Sequence, residues 1–450
     1  MFTSDVLAKT TSLETEVPTC DVNDDKSSSN FTNTEIRNLS LQVLCYACLM
    51  SSTTMVVGTS AVVIQAVGGS NEIAPLPIGI FFIGSSFISL ATTRIFRFGR
   101  QDGFLVGIVF GLAGASIGAL ATQIKSPALL LFAYLPLGMS FGIGNYLRFA
   151  AVEVVKPPKK AVAVTLVLAG GILAAFAGPE SAQATKSMFG DDVQYLGTFM
   201  MIFIFNAIMA ILQGLIRYPK TITSNSTRDE EIMNTTSTPT LKSLLLSRHF
   251  IVPALVASFS WAIMALPMSV VRVAMGQLGY SSRASLQIIE FHFLGMFAPG
   301  FVTGMIIERK GEIFTIVLGV ILFTTPTILN LMSTEDGTIA FWIVGIVLTG
   351  VGWNFAFSSS TIMLTRAYTN APELKNEVQA ANDFTMFFLA GSIIVSSGYI
   401  YKVGGSGVDG WKAVNFTVVA LITLICGVVV SHAFTSKRPV LQCDLECSRV

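Results

Sequence analysis

Twelve apolar runs, each bounded by a short polar cluster, recur along this chain. They lie near residues 40–66, 73–93, 103–122, 128–152, 160–180 and 195–217, and again near 249–274, 284–307, 313–333, 338–363, 378–402 and 413–434. A helix of about 20 residues crosses the hydrocarbon core of a bilayer, and inside that core every backbone N–H and C=O needs a partner from the chain itself. The pattern therefore predicts twelve transmembrane helices and an all-α membrane protein. A polar stretch at 218–248, rich in Ser, Thr and Asn and carrying Asp229, Glu230 and Glu231, divides the runs six and six. The expected organisation is a tail at 1–38, a six-helix bundle at 39–217, a central loop at 218–248, a second six-helix bundle at 249–434 and a tail at 435–450. The first tail carries Asp5, Glu14, Glu16, Asp21, Asp24, Asp25 and Glu35 and lacks the basic start and apolar core of a cleaved leader, so it reads as disordered.

Lys and Arg are distributed unevenly between alternate loops. One side holds Arg94, Arg97, Arg100, Lys156, Lys159, Lys160, Arg217, Lys220, Arg228, Lys242, Arg248, Arg309, Lys310, Arg366 and Lys375. The other holds Lys125, Lys186, Arg283, Lys402 and Lys412, fifteen against five. Basic loops stay in the cytosol, so both termini are expected there. The sequons at Asn30, Asn225 and Asn234 fall on that same side and read as chance matches.

Composition narrows the class. The chain of 450 residues is 52% apolar and only 12% charged, with a mean hydropathy of +0.67. A soluble domain has about 25% charged residues, so this chain lacks the polar surface one requires. A net charge of +1 with no basic stripe gives no footing for nucleic acid. Of the six cysteines, Cys20, Cys443 and Cys447 lie in the tails, and Cys45, Cys48 and Cys426 in apolar runs, which argues against a disulfide framework. His249, His292 and His432 are too scattered for a local metal motif, and no nucleotide loop or nucleophile–base arrangement is visible. No enzyme activity, metal or cofactor is expected.

The two halves echo each other. Arg97-Phe-Gly99-Arg100 after the second run is answered by Arg309-Lys-Gly311-Glu312 after the eighth, and Gly142-Ile-Gly144 in the fourth by Gly350-Val-Gly352 in the tenth. Ala169-Gly170 in the fifth is answered by Ala390-Gly391 in the eleventh. Repeated six-helix halves are a transporter plan whose site lies at the bilayer midplane between them. The chain resembles the major facilitator superfamily over residues 40–434. In the family's signature after the second helix, Arg97, Gly99 and Arg100 match, while Phe96 stands at the acidic position and Thr92 at the upstream glycine. Glu308-Arg309 keeps the acidic–basic pair in the second repeat. The resemblance implies gating roles for these loops. Gly178-Pro179 is similar to the end of the family's antiporter signature, though Glu180 and Ser181 replace the trailing glycines, and this tilts the reading toward export. Arg148 stands near an arginine that many members carry in the fourth helix, and Gly410-Trp411 is similar to the family's approach to the last helix.

Charges inside a bilayer cost about 2.5–3.5 kcal/mol each on insertion scales, so those that persist there have partners or tasks. Arg148 lies late in the fourth run, where it either anchors substrate or snorkels to headgroups. Glu153 follows at the membrane edge, with Lys156 or solvent as its expected partner. Asp383 lies near the start of the eleventh run, at the depth of Arg148. It is either a helix-dipole acid or half of an inner latch with that arginine. Glu290 and His292 lie deep in the eighth run and are the expected coupling groups, with an Arg272–Glu290 ion pair as the plain structural reading. Two residues apart on a helix, they face different directions. Trp261, Trp353, Asn354 and Tyr146 are candidates for a substrate path. Gly142, Gly144, Gly170, Gly171, Gly178 and Pro179 are expected to serve packing or hinging.

These readings converge on a monomeric secondary transporter that moves a small organic solute through a lipid bilayer by alternating access, driven by protons at Glu290. The competing reading is a transporter-like sensor or scaffold without net transport.

Overall fold

The computed structural model describes residues 31–156, 159–218, 239–334 and 339–436. Among them stand twelve helices long and apolar enough to cross a membrane. The first six are α1 (Asn33–Ala66), α2 (Leu76–Ile95), α3 (Arg100–Gln123), α4 (Pro127–Gly144, continued by Leu147–Ala150), α5 (Lys160–Thr185) and α6 (Leu196–Leu215). The second six are α7 (Arg248–Gln277), α8 (Ser282–Phe297, continued by Gly300–Lys310), α9 (Glu312–Leu331), α10 (Ile339–Leu364), α11 (Lys375–Val403) and α12 (Gly407–Ser436). The sequons, Cys20, Cys443 and Cys447, and most of both tails and of the central loop lie outside the described residues. An even number of spans brings both ends of the helical body to one side, the near side here. The opposite side is the far side.

α1 and α7 are buried along most of their length, whereas α3, α6, α9 and α12 keep exposed apolar side chains such as Val109, Ile211, Ile321 and Phe416. The first pair thus forms the centre, and the other four turn toward lipid. Close packing rests on glycine. A Cβ at Gly170 would lie 2.6 Å from the Val43 carbonyl and one at Gly178 2.5 Å from that of Ser51, so α5 lies directly against the α1 backbone. Gly142 meets Ser85 of α2 in the same way, and Gly144 and Gly171 face the side chains of Leu49 and Phe297. Between the halves, a Cβ at Gly79 of α2 would lie 3.2 Å from the Gly391 carbonyl of α11. Lower down, the Ser86 hydroxyl donates to the Phe384 carbonyl at 3.1 Å, so α2 and α11 stay in contact at two levels.

The start of α1 differs from the expected tail boundary. Residues 33–38 are helical because Thr32 and Glu35 form a capping box, and the Glu35 carboxylate also accepts from the Lys156 N–H at 2.9 Å and the Lys159 ammonium at 3.2 Å. The polar composition that suggests disorder is thus the material of a cap and an ion pair. The central loop likewise contains a short helix, Leu241–Leu245, begun by a Thr240 cap.

α4 and α8 each break inside the membrane. α8 stops at Phe297 because Pro299 has no N–H to continue the ladder. Asn354 of α10 bridges this break. Its Nδ2 donates to the Met296 carbonyl at 2.7 Å, and the Thr303 hydroxyl donates to its Oδ1. The Met296 carbonyl beside the break is thereby satisfied by a side chain, as a water-free interior requires.

Gly138 of α4 sits directly over the Phe81 carbonyl of α2, whereas nothing approaches Gly214. Gly138→Ala should therefore cost about 1–3 kcal/mol of packing strain. It should lower the midpoint of thermal unfolding in detergent, with Gly214→Ala leaving it unchanged.

Candidate functional site

A cavity of about 300 Å³ lies between the halves, walled by α1, α2, α4, α5, α7, α8 and α10. Its wall is mainly aromatic. Trp261 of α7 meets Trp353 edge-on at 5.0 Å, Phe82 of α2 at 5.4 Å and Phe141 of α4 at 6.4 Å, and Trp353 stacks on Phe357 at 4.9 Å. Tyr46 of α1 faces Phe297 of α8 at 6.3 Å. Rings from both halves therefore converge on one space. Such walls offer large flat apolar area with few rotatable bonds to order.

The polar atoms in this wall are few and incompletely satisfied. The indole nitrogens of Trp261 and Trp353 are buried without a hydrogen-bond partner, as are Nε of Arg148 and Nε2 of His292. Buried polar atoms are normally bonded, so an orphaned set around a cavity marks the places a solute can occupy. Asn354 lines the same space, but its amide is already committed to the α8 break.

The near-side end of the cavity holds the charges. Arg148 is buried, lies over the rings of Phe149 at 4.6 Å and Phe357 at 5.3 Å, and brings Nη2 to 3.9 Å from Asp383 Oδ1. Asn382 Nδ2 donates to the same carboxylate oxygen at 3.1 Å. α11 begins at Lys375, so Asp383 lies beyond the first turn, where the helix dipole no longer accounts for an acid. Arg148 does not reach toward headgroups, and the pair crosses from one half to the other.

Glu290 and His292 part company. His292 joins the cavity wall, while Glu290 is buried outside it. The Arg272–Glu290 ion pair expected from depth is not formed. Arg272 instead donates Nε to Ser285 Oγ at 3.1 Å, Nη2 to Ser282 Oγ at 2.9 Å and Nη1 to the Gly58 carbonyl of α1. Glu290 lies 3.6 Å from Arg283, two turns earlier on the same helix face, and Arg283 also pairs with Glu180 of α5. Lys402 donates to Glu72 at 2.7 Å. Of these far-side contacts, Arg272 to Gly58, Arg283 to Glu180 and Lys402 to Glu72 cross between the halves. Exposed pairs such as Lys402–Glu72 contribute only about 0–1 kcal/mol each, so the closure they make is easily reversed.

Near-side loop pairs, by contrast, stay within a half. Arg100 grips Glu153 with Nε at 3.0 Å, in place of the Lys156 or solvent contact expected for Glu153, and Arg366 pairs with Glu312 at 2.6 Å. Arg97, Glu308 and Arg309 are exposed and form no ion pair among the described residues. Gly99 and Gly311 have φ of 125° and 85°, a conformation that favours glycine, and they join α2 to α3 and α8 to α9 in the same manner. Tyr146 is held by the Thr92 hydroxyl at 3.1 Å and lies outside the cavity wall. The halves are thus stitched together on the far side, while the near-side loop ion pairs found among the described residues lie within one half. Phe82, Phe141, Phe297 and Phe357 escaped the sequence reading because nothing in composition separates them from exposed rings such as Phe87 and Phe132. Among the described residues no cluster of three or more His, Cys, Asp or Glu could hold a metal ion.

The profile of the Major Facilitator Superfamily matches residues 42–396. A riboflavin transporter, RfnT of Brucella anthropi, is 28% identical over 397 residues, covering 86% of this chain and 94% of its own. An uncharacterised transporter of the same type, YddS of Bacillus subtilis, is 24% identical, covering 81% of this chain and 87% of its own. The crystal structure of a D-xylose–proton symporter superposes with a TM-score of 0.67 at 12% identity, covering 86% of this chain and 97% of that one.

Removing one member of a buried ion pair costs about 3–5 kcal/mol because the other is left uncompensated, whereas replacing both with apolar groups is close to neutral. Asp383→Asn should therefore lower the unfolding midpoint sharply, and the double variant Arg148→Met/Asp383→Leu should recover most of it in a differential scanning measurement.

Proposed function

The chain belongs to the Major Facilitator Superfamily, and from that premise we propose that it carries a planar aromatic solute of the riboflavin class by proton-coupled alternating access. One observation carries the reading: the inter-half cavity walled by Trp261, Trp353, Phe82, Phe141 and Phe357, with two indole N–H groups that have no partner. A flat heteroaromatic ring stacks on such walls and supplies carbonyl and ring-nitrogen acceptors to the indoles. The similarity to a riboflavin transporter supports the same class independently.

The bundles at 39–217 and 249–434 rock about this cavity, and one chain contains the whole path, which supports a monomer as the working unit. The excess of Lys and Arg in the near-side loops supports cytosolic termini. Arg148 and Asp383 form the inner latch. Arg283, shared between Glu180 and Glu290, forms the outer one. When Glu290 takes up a proton it releases its share of Arg283, so proton binding and outer-gate geometry act through one guanidinium. Gly178-Pro179, the basis for a lean to export, packs α5 on α1, and the sign of transport is read by reversing the gradient.

Purified protein in liposomes should take up riboflavin saturably, faster under one sign of pH gradient. Stacking on an aromatic ring contributes about 1–3 kcal/mol for each ring bound, so Trp261→Ala should raise KM about fivefold to 150-fold. Binding without uptake would replace the transporter with a sensor. Glu290→Gln should abolish the response to the gradient and preserve riboflavin exchange at equal pH. Equal loss of both would move coupling away from Glu290.

A further inference from the structure

His292 is buried in α8 at the wall of the cavity, and its two ring nitrogens are in different situations. Nδ1 lies 2.7 Å from the Ile346 carbonyl of α10, while Nε2 has no partner. A carbonyl can only accept. The hydrogen of the neutral imidazole is therefore fixed on Nδ1, and Nε2 is left as a bare lone pair. The approach that makes this possible is built from glycines. A Cβ at Gly350 would lie 2.7 Å from the His292 carbonyl, and one at Gly295 the same distance from that of Val347, so only glycine lets α10 come near enough.

The hydrogen-bond inventory of the cavity is thereby polarised. Trp261, Trp353 and Arg148 at the near-side end offer donors only, and His292 offers an acceptor only. Resting on the transporter reading above, we propose that His292 is a specificity-determining residue whose Nε2 accepts a hydrogen bond from a ring N–H of the solute. A solute that satisfies the two indoles and His292 presents one N–H and two acceptors there, the inventory of a cyclic imide edge, carbonyl–NH–carbonyl, on a planar heteroaromatic ring. The isoalloxazine ring of riboflavin has this edge. The site therefore selects imide-bearing rings and rejects flat aromatic compounds without the N–H, because an unmatched buried acceptor is left behind.

The test uses lumiflavin, which keeps the ring without the sugar alcohol chain, and 3-methyllumiflavin, in which the imide N–H is replaced by N–CH₃. Binding to the purified full-length protein is followed by quenching of flavin fluorescence. Wild type should bind lumiflavin at least tenfold more tightly than its methyl analogue. His292→Leu should lose that discrimination, while His292→Gln, which restores an acceptor at similar reach, should keep part of it. If His292→Leu does not fold, the two ligands on wild type still decide. Equal affinity of wild type for both would overturn the role of His292 and leave flavin transport standing. Persistent discrimination in His292→Leu would overturn it as well. Binding of neither compound would overturn the substrate class and this inference with it.

Discussion

The hydrocarbon core holds no water, and this one constraint governs the rest of the molecule. Every backbone group and every charge at that depth must find its partner within the chain. Helices satisfy most of the demand, and the exceptions mark where the structure does something else. Where α8 breaks at Pro299, Asn354 closes the gap. Where Arg148 and Arg272 enter the interior, one finds a carboxylate and two aromatic faces, and the other two serines and a carbonyl. Among the buried side-chain atoms left without a partner, the nitrogens of Trp261, Trp353, His292 and Arg148 belong to residues that line a single cavity.

The two ends of the protein resolve the same problem differently. On the far side, Arg272, Arg283 and Lys402 reach across to α1, α5 and the segment before α2. On the near side, Arg100 and Arg366 hold partners inside their own halves. The buried Arg148–Asp383 pair is the near-side charge contact that spans the interface. Its separation of 3.9 Å is longer than the 3.0 Å grip of Arg100 on Glu153. Among the described residues the far side thus joins the halves through several contacts, the buried Arg272 among them, and the near side through one buried charge pair.

Much of this was legible in the sequence, for reasons of periodicity and depth. Apolar runs of membrane length gave twelve helices, and the order of repeated Gly and Arg motifs gave the two halves. Counting residues from each end also put Arg148 and Asp383 at one level. Depth, however, carries no information about helix phase. Arg272 and Glu290 share a level and face different partners, while the seven-residue spacing of Arg283 and Glu290, two full turns, is the signal that would have pointed to the observed pair. Polarity was equally ambiguous at Glu35, where an acid in a polar tail became half of a capping box. The aromatic wall was the least legible part, since a phenylalanine turned inward and one turned toward lipid look alike in a run that is apolar all round.

The contact of α2 with α11 has a consequence for shape. Glycine backbones meet near its far end and Ser86 meets Phe384 lower down, so this seam holds the bundles along one edge, while Gly171 of α5 against Phe297 of α8 holds them along the other. With both edges in contact, access to the ring-lined cavity runs between the seams, from one end of the bundle or the other.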